Sequence, residues 1–190
     1  MSAHPFDAEP LPVIGTAVAR PTWRFMARHP AHAIALGLGA GLSPKAPGTA
    51  GTLWAGVVFL LLQGAGLSDS AFAALIAVSS LLGWWACTVT ARNMAVLDPG
   101  SIVWDEVVAF WIVLWLIAPT GFWGQLAAFG LFRYFDAVKP GPVGWADALF
   151  HGVQAQTDPL AWRKAGLGIM LDDLVAAGCT LLLIALWRFL

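Results

Sequence analysis

Charge is scarce in this sequence. Only 11% of its 190 residues are charged, 59% are hydrophobic, and the mean hydropathy is +0.75. A soluble domain carries roughly 25% charged residues, so the chain reads as an integral membrane protein, sized for one helical bundle. Basic tracts are missing, and with a net charge of −1 nothing invites a nucleic acid as partner. The strands of a membrane β-barrel, roughly 10 residues long with alternating polarity, are also missing; apolar runs of helical length stand in their place. Cysteine is nearly absent: Cys87 and Cys179 lie singly within apolar runs, form no metal-spaced pair, and read as small core residues.

Several phosphatase chemistries lack their residues. Cys87 and Arg92 stand one residue too close for a Cys-x5-Arg phosphate loop, and no Asp-x-Asp occurs. The four histidines, His4, His29, His32 and His151, are scattered through tail and loop, outside any motif that would make one a nucleophile. The N-terminus opens with acids and prolines and brings its positive charges late, which is not the pattern of a secretory signal. Residues 1–30 are expected to form a cytoplasmic tail, partly interfacial through "RPTWRFMAR", with Trp23 and Phe25 toward lipid and the arginines toward headgroups.

What is present reads as an all-α polytopic bundle, a single transmembrane domain over 31–190. "HAIALGLGAGL" is too short to span and is weakened by Gly37, Gly39 and Gly41; it reads as a short interfacial or re-entrant element. "SPKAPGTAG" breaks the chain, with Thr49 as the expected helix cap. About five spans follow, near 49–63, 71–91, 102–118, 122–138 and 166–188, with a cytoplasmic loop over 139–165. Within that loop Trp145, Leu149 and Val153 recur at four-residue spacing, the pattern of an amphipathic helix on the membrane surface.

Counting spans assigns sides. Starting from "SPKAPGT", the chain leaves and returns twice and leaves again. The polar residues of the third, fourth and fifth spans therefore gather in one leaflet. Arg20, Arg24, Arg28, Lys45, Arg92, Lys139, Arg163 and Lys164 share that side, while the turns of the other side hold neither Lys nor Arg. The positive-inside rule makes the shared side cytoplasmic.

Five acids fall within spans: Asp105, Glu106, Asp136, Asp172 and Asp173. Each costs about 2.5–3.5 kcal/mol at the centre of an inserting helix. Arg133 is the only cation within a span near them, so a further positive charge is needed or several acids stay protonated. A divalent ion meets the need, and Mg²⁺ takes carboxylates, water and a phosphate oxygen as ligands. Adjacent helical residues diverge by about 100°, so one acid of each pair can bind metal while its neighbour serves another partner. The plainer alternative has one acid of each pair snorkelling or capping a helix dipole. Arg133 and Asp136 share a helix face, either as a simple ion pair or with the arginine's planar fork given to a phosphate. Lys139, Lys45 and backbone N–H groups near Thr49 are further phosphate-binding candidates. Gly166 and Gly168 allow a helix or the substrate close to the acids. A cation transporter using the carboxylates as ion sites is the alternative class, although such a path needs polar residues through the whole membrane.

Four segments, "GLGAGLSPKAPGTAGTL", "GSIVWDEVVAFWI", "FRYFDAVKPGPVGW" and "GLGIMLDDLVAAG", appear in the order of the phosphatidylglycerophosphatase A family and resemble it over about 36–178. The resemblance implies a bacterial inner-membrane enzyme. It would hydrolyse phosphatidylglycerophosphate to phosphatidylglycerol and inorganic phosphate, with Mg²⁺ and a cytoplasmic site. The family motifs fall on Asp105 and Glu106, on Arg133, Asp136 and Lys139, and on Asp172 and Asp173. Asp105, Glu106, Asp172 and Asp173 are expected to hold the metal, with Asp136 as ligand or base. The stretch "ALFHGVQAQTDPLAWRKA" is longer than the family pattern leads one to expect.

Overall fold

A computed structural model describes residues 13–14, 17–18 and 20–189. The loose tail expected before residue 20 therefore lies outside the described residues, apart from a two-residue antiparallel pairing of Val13–Ile14 (β1) with Ala17–Val18 (β2). The other elements among the described residues are helices joined by turns. Short helices Trp23–Met26 (α1) and Pro30–Ala35 (α2) and a 3-10 segment at Gly37–Leu42 lead into Pro47–Gly64 (α3), Asp69–Met94 (α4), Trp104–Ile117 (α5) and Phe122–Val138 (α6). Pro142–Ala148 (α7) and Ala161–Phe189 (α8) complete the chain.

Local chemistry sets the boundaries. Pro47 occupies the first turn of α3, where a missing N–H costs nothing. The helix thus starts two residues before Thr49, which sits within its first turn and does not cap it. The Ser68 hydroxyl accepts from the Ala71 N–H at the head of α4. Ala95 and Lys139 take left-handed conformations that stop α4 and α6. The five helices expected from sequence are all present, as α3, α4, α5, α6 and α8. Two of them, over Asp69–Met94 and Ala161–Arg188, are long and apolar enough to cross a membrane. The 14 residues of α5 cover only about 21 Å at 1.5 Å per residue.

α5 is the core helix: nine of its 14 residues are buried, among them Val107, Val108, Phe110 and Leu114. It is apolar nearly all round because α3, α4, α6 and α8 wrap it. Those outer helices turn Leu53, Leu60, Leu81, Trp84, Trp123, Leu182 and Trp187 outward, and all are exposed. An apolar surface of that extent marks contact with a membrane or a partner.

The levels of the helices matter most for the site. Trp104, at the head of α5, lies beside Gly83 and donates its indole N–H to the Ser79 carbonyl at 3.0 Å. α5 thus begins halfway along α4, and the last 11 residues of α4 run about 17 Å past it. The segment from α2 to Leu42 packs beside that extension: Val103 N–H donates to the Ala35 carbonyl, and His32 bridges the Phe25 carbonyl and the Asn93 amide. Phe25 is stacked on His32 and buried, contrary to its expected place toward lipid; Trp23 is exposed. In α7 the buried residues are Val143 and Ala146, while Trp145 and Leu149 are exposed and Val153 lies in the turn beyond.

Candidate active site

The acids meet where α5, α6 and α8 converge. Asp105 and Glu106 occupy the first turn of α5, whose free N–H groups and dipole favour negative charge. One oxygen from each of Asp105, Glu106 and Asp173 lies within 4.8 Å of the other two. Asp105 and Glu106 lie side by side, and Asp136 lies beside Asp173. Carboxylates brought this close need a shared proton or a cation between them. Four of their oxygens, Asp105 Oδ1, Glu106 Oε2, Asp172 Oδ1 and Asp173 Oδ2, are buried with no hydrogen-bond partner. Buried polar atoms are otherwise almost always paired, so these oxygens are arranged for something besides one another. Hard oxygen donors of this kind suit Mg²⁺.

Sequence reasoning treated Asp172 and Asp173 alike, and the structure separates them. Asp173 joins the three-carboxylate group. Asp172 turns away to accept from Lys139 Nζ at 2.6 Å. The pair also lies deeper along its helix than the span expected from residue 166 implies: α8 begins at Ala161, 11 residues before Asp172, or about 17 Å. That depth matches the level at which α5 starts against α4.

Two cations border the cluster. Arg133 is ion-paired with Asp136 and stands 3.6 Å from Glu106 Oε1. The plain ion pair therefore exists, and the arginine faces the acids as well. Lys139 is paired with both Asp172 and Asp147. Burial works against its charge, but the hydrogen bonds it donates to the two aspartates outweigh this and hold its pKa above the ordinary lysine value. Asp147 is the residue that sequence reasoning missed. Its link to Lys139 spans the turn into α7, and it falls two residues beyond the quoted "FRYFDAVKPGPVGW", outside every motif singled out from sequence. Through Asp147, His151 (Nε2 to Oδ2, 3.1 Å) also reaches this corner, although its side chain is 67% exposed. A cavity of about 180 Å³, bounded by Asp98, Asp147, His151, Gly168 and Asp172, opens here.

α3 closes the remaining side. A Cβ on Gly48 would overlap Glu106 Oε1 and stand 3.1 Å from an Arg133 nitrogen. The uncapped start of α3 therefore abuts the acid–arginine contact, with Thr49 next in the same turn. Lys45 is exposed and makes no ion pair among the described residues. The two glycines of α8 divide their tasks: Gly166 meets the backbone of Thr88 on α4, and Gly168 meets the Phe150 ring beyond α7.

The chain is similar to known proteins over most of its length. A sequence profile described as Phosphatidylglycerophosphatase A matches residues 33–188. The phosphatidylglycerophosphatase A of Escherichia coli (strain K12) is 39% identical over 80% of this chain and 80% of its own. That of Haemophilus influenzae is 40% identical over 78% and 83%. A protein of Bacteroides thetaiotaomicron, provisionally named a phosphatidylinositol-3-phosphatase, is 36% identical over 82% and 92%. No solved structure matches the chain. The profile covers all of the converging acids and both of their cations, and on that ground the chain belongs to the phosphatidylglycerophosphatase A family.

Proposed function

We propose that the protein is a Mg²⁺-dependent lipid phosphatase of the bacterial inner membrane. It removes the terminal phosphate of phosphatidylglycerophosphate at a site reached from the cytoplasmic side. The observation that carries this reading is the three-carboxylate group of Asp105, Glu106 and Asp173, with its partnerless buried oxygens and two bordering cations. The curated relatives support the substrate by name.

Asp105, Glu106 and Asp173 would hold the metal, which when bound neutralises charge on the transferring phosphoryl group and acidifies water. The chain's own groups do the rest. Arg133 offers its fork to the phosphate oxygens, exchanging part of its contact with Asp136. The N–H groups of Gly48 and Thr49 at the start of α3 add an anion-favouring dipole. Lys139 supplies a second positive point and is aimed by Asp172 and Asp147. Asp136, beside Asp173, is placed to accept the proton of an attacking water. Five helices, α3, α4, α5, α6 and α8, cross or enter the membrane in this reading, and the outward leucines and tryptophans face lipid. The acyl chains stay in the bilayer while the headgroup bends inward to the acids from the cytoplasmic side.

Cation transport is not favoured, because among the described residues no acid continues the cluster through α5 or α6 toward the far end. Purified protein given phosphatidylglycerophosphate with and without Mg²⁺ should release phosphate only with the ion. Absence of release under every divalent ion would overturn the proposal. The headgroup is its finest part, since the Bacteroides relative carries a phosphoinositide name. Phosphatidylinositol 3-phosphate as a competing substrate tests that part separately.

A further inference from the structure

A second cationic cavity lies on the other flank of α8. It measures about 350 Å³ and is lined by Thr88, Arg92 and Asn93 of α4, by Leu160 just before α8, and by Trp162 and Arg163 in its first turn. None of these residues borders the cavity beside Asp172. Arg92 and Arg163 are exposed, and among the described residues neither makes an ion pair. The neighbouring Lys164 is already taken by Asp158 at 2.7 Å. Two guanidinium groups left together without a carboxylate favour an anion.

The surroundings say which anion. The cavity sits on the seam between the two helices long and apolar enough to span a membrane. Arg163 is nine residues before Asp172, so it lies about 14 Å outward from the acids along α8. That level suits phospholipid headgroups while the acids lie below it. Trp84 and Trp85 are exposed on the adjoining face of α4, and Trp84 Nε1 donates to the Arg163 carbonyl at 3.0 Å. Tryptophan at this level is the usual partner of the membrane interface. The inner end of the seam is shut, because Gly166 rests against the Thr88 backbone and leaves no room for a side chain.

We propose that this cavity binds the phosphodiester of an anionic phospholipid from the surrounding leaflet, at a site separate from the catalytic one. It rests on the membrane-spanning reading of α4 and α8 and not on the phosphatase chemistry. The bound lipid bridges the cytoplasmic ends of α4 and α8, and α8 carries Asp172 and Asp173.

The test uses the full chain in detergent micelles doped with equal amounts of phosphatidylglycerol and phosphatidylcholine, with retained lipid read by native mass spectrometry. The wild-type protein should retain phosphatidylglycerol preferentially. Arg92→Gln and Arg163→Gln should each lower that preference about fivefold. Asp172→Asn should keep it even where phosphatase activity is lost. A double glutamine variant that retains phosphatidylglycerol as the wild type does overturns the site. So does loss of the preference in Asp172→Asn alone, which would put the headgroup among the acids. A thermal-unfolding arm needs no glutamine variant: phosphatidylglycerol micelles should raise the wild-type midpoint above that in phosphatidylcholine. An equal rise with inorganic phosphate would overturn a lipid source. Arg92→Lys and Arg163→Lys, which keep the charge, should retain most of the preference; its complete loss in both would show that charge at this cavity is not what selects the lipid.

Discussion

Asp105–Glu106 and Asp172–Asp173 look alike as sequence, each two neighbouring acids in an apolar helix, and the fold uses them differently. Asp105 and Glu106 open α5, where the unsatisfied N–H groups of a helix start help to carry their charge. Both point into one cluster. Asp172 and Asp173 sit well inside α8 with no such help. They are split, one to the carboxylate cluster and one to Lys139. An acid pair at a helix start can act as a unit, whereas a pair in mid-helix is divided by the helical turn between two partners.

The sharpest test of that difference is neutralisation within the cluster. Asp173→Asn and Glu106→Gln should each lower phosphate release by about 10²–10³-fold or more, with the variants still extracted as folded protein. Asp172→Asn should cost less, about 10–100-fold, and should act through Lys139. A double-mutant cycle with Lys139→Ala checks this: the two losses should be clearly less than additive. Additive losses would detach Asp172 from Lys139 and return it to the carboxylate cluster.

A backbone lever comes next. Gly48→Ala pushes a methyl group against Glu106 and Arg133, so activity should drop about 10-fold or more through displacement of groups that it does not itself supply. The smallest effect is expected from Lys45→Ala, a change of a few-fold confined to KM, since Lys45 is exposed and outside the cluster.

Lys139 also makes a pH prediction with a definite sign. Its pKa is raised in the folded protein, so its contribution to stability is fully present below the ordinary value of 10.5 and is lost as pH rises through the folded value. The stability gap between wild type and Lys139→Ala, from thermal midpoints, should therefore stay constant from about pH 6 to 9 and close only in strong alkali. A gap that closed near neutrality would mean that the pairing with Asp147 and Asp172 does not hold in solution.

The helices and the residues that converge were legible because their signals are local. Apolar runs between Pro and Gly breaks give α3 to α6 within a few residues, and span parity brings Asp105, Arg133, Asp136 and Asp173 to one end. What was hidden depends on contacts between segments. The level at which α5 starts against α4 is set by Trp104 on Gly83, a fit that no periodicity reveals. The early start of α8 follows from the amphipathic turn at Ala161–Lys164, too polar to be counted into a span. Phe25 looked lipid-facing from its neighbours and was claimed by His32, seven residues on. Asp147 acquires its role only when α7 folds back beside Lys139.

Asp172 and Asp173 are rigidly joined by a single helical step, and this ties two adjustments that an enzyme might otherwise make separately. A roll of α8 that draws Asp173 away from Asp105 and Glu106 also swings Asp172 relative to Lys139. The carboxylate grouping and the lysine's aim are geared together on one shaft, and the Thr88–Gly166 contact is one of its bearings. Any force applied at the N-terminal end of α8 thus reaches both at once.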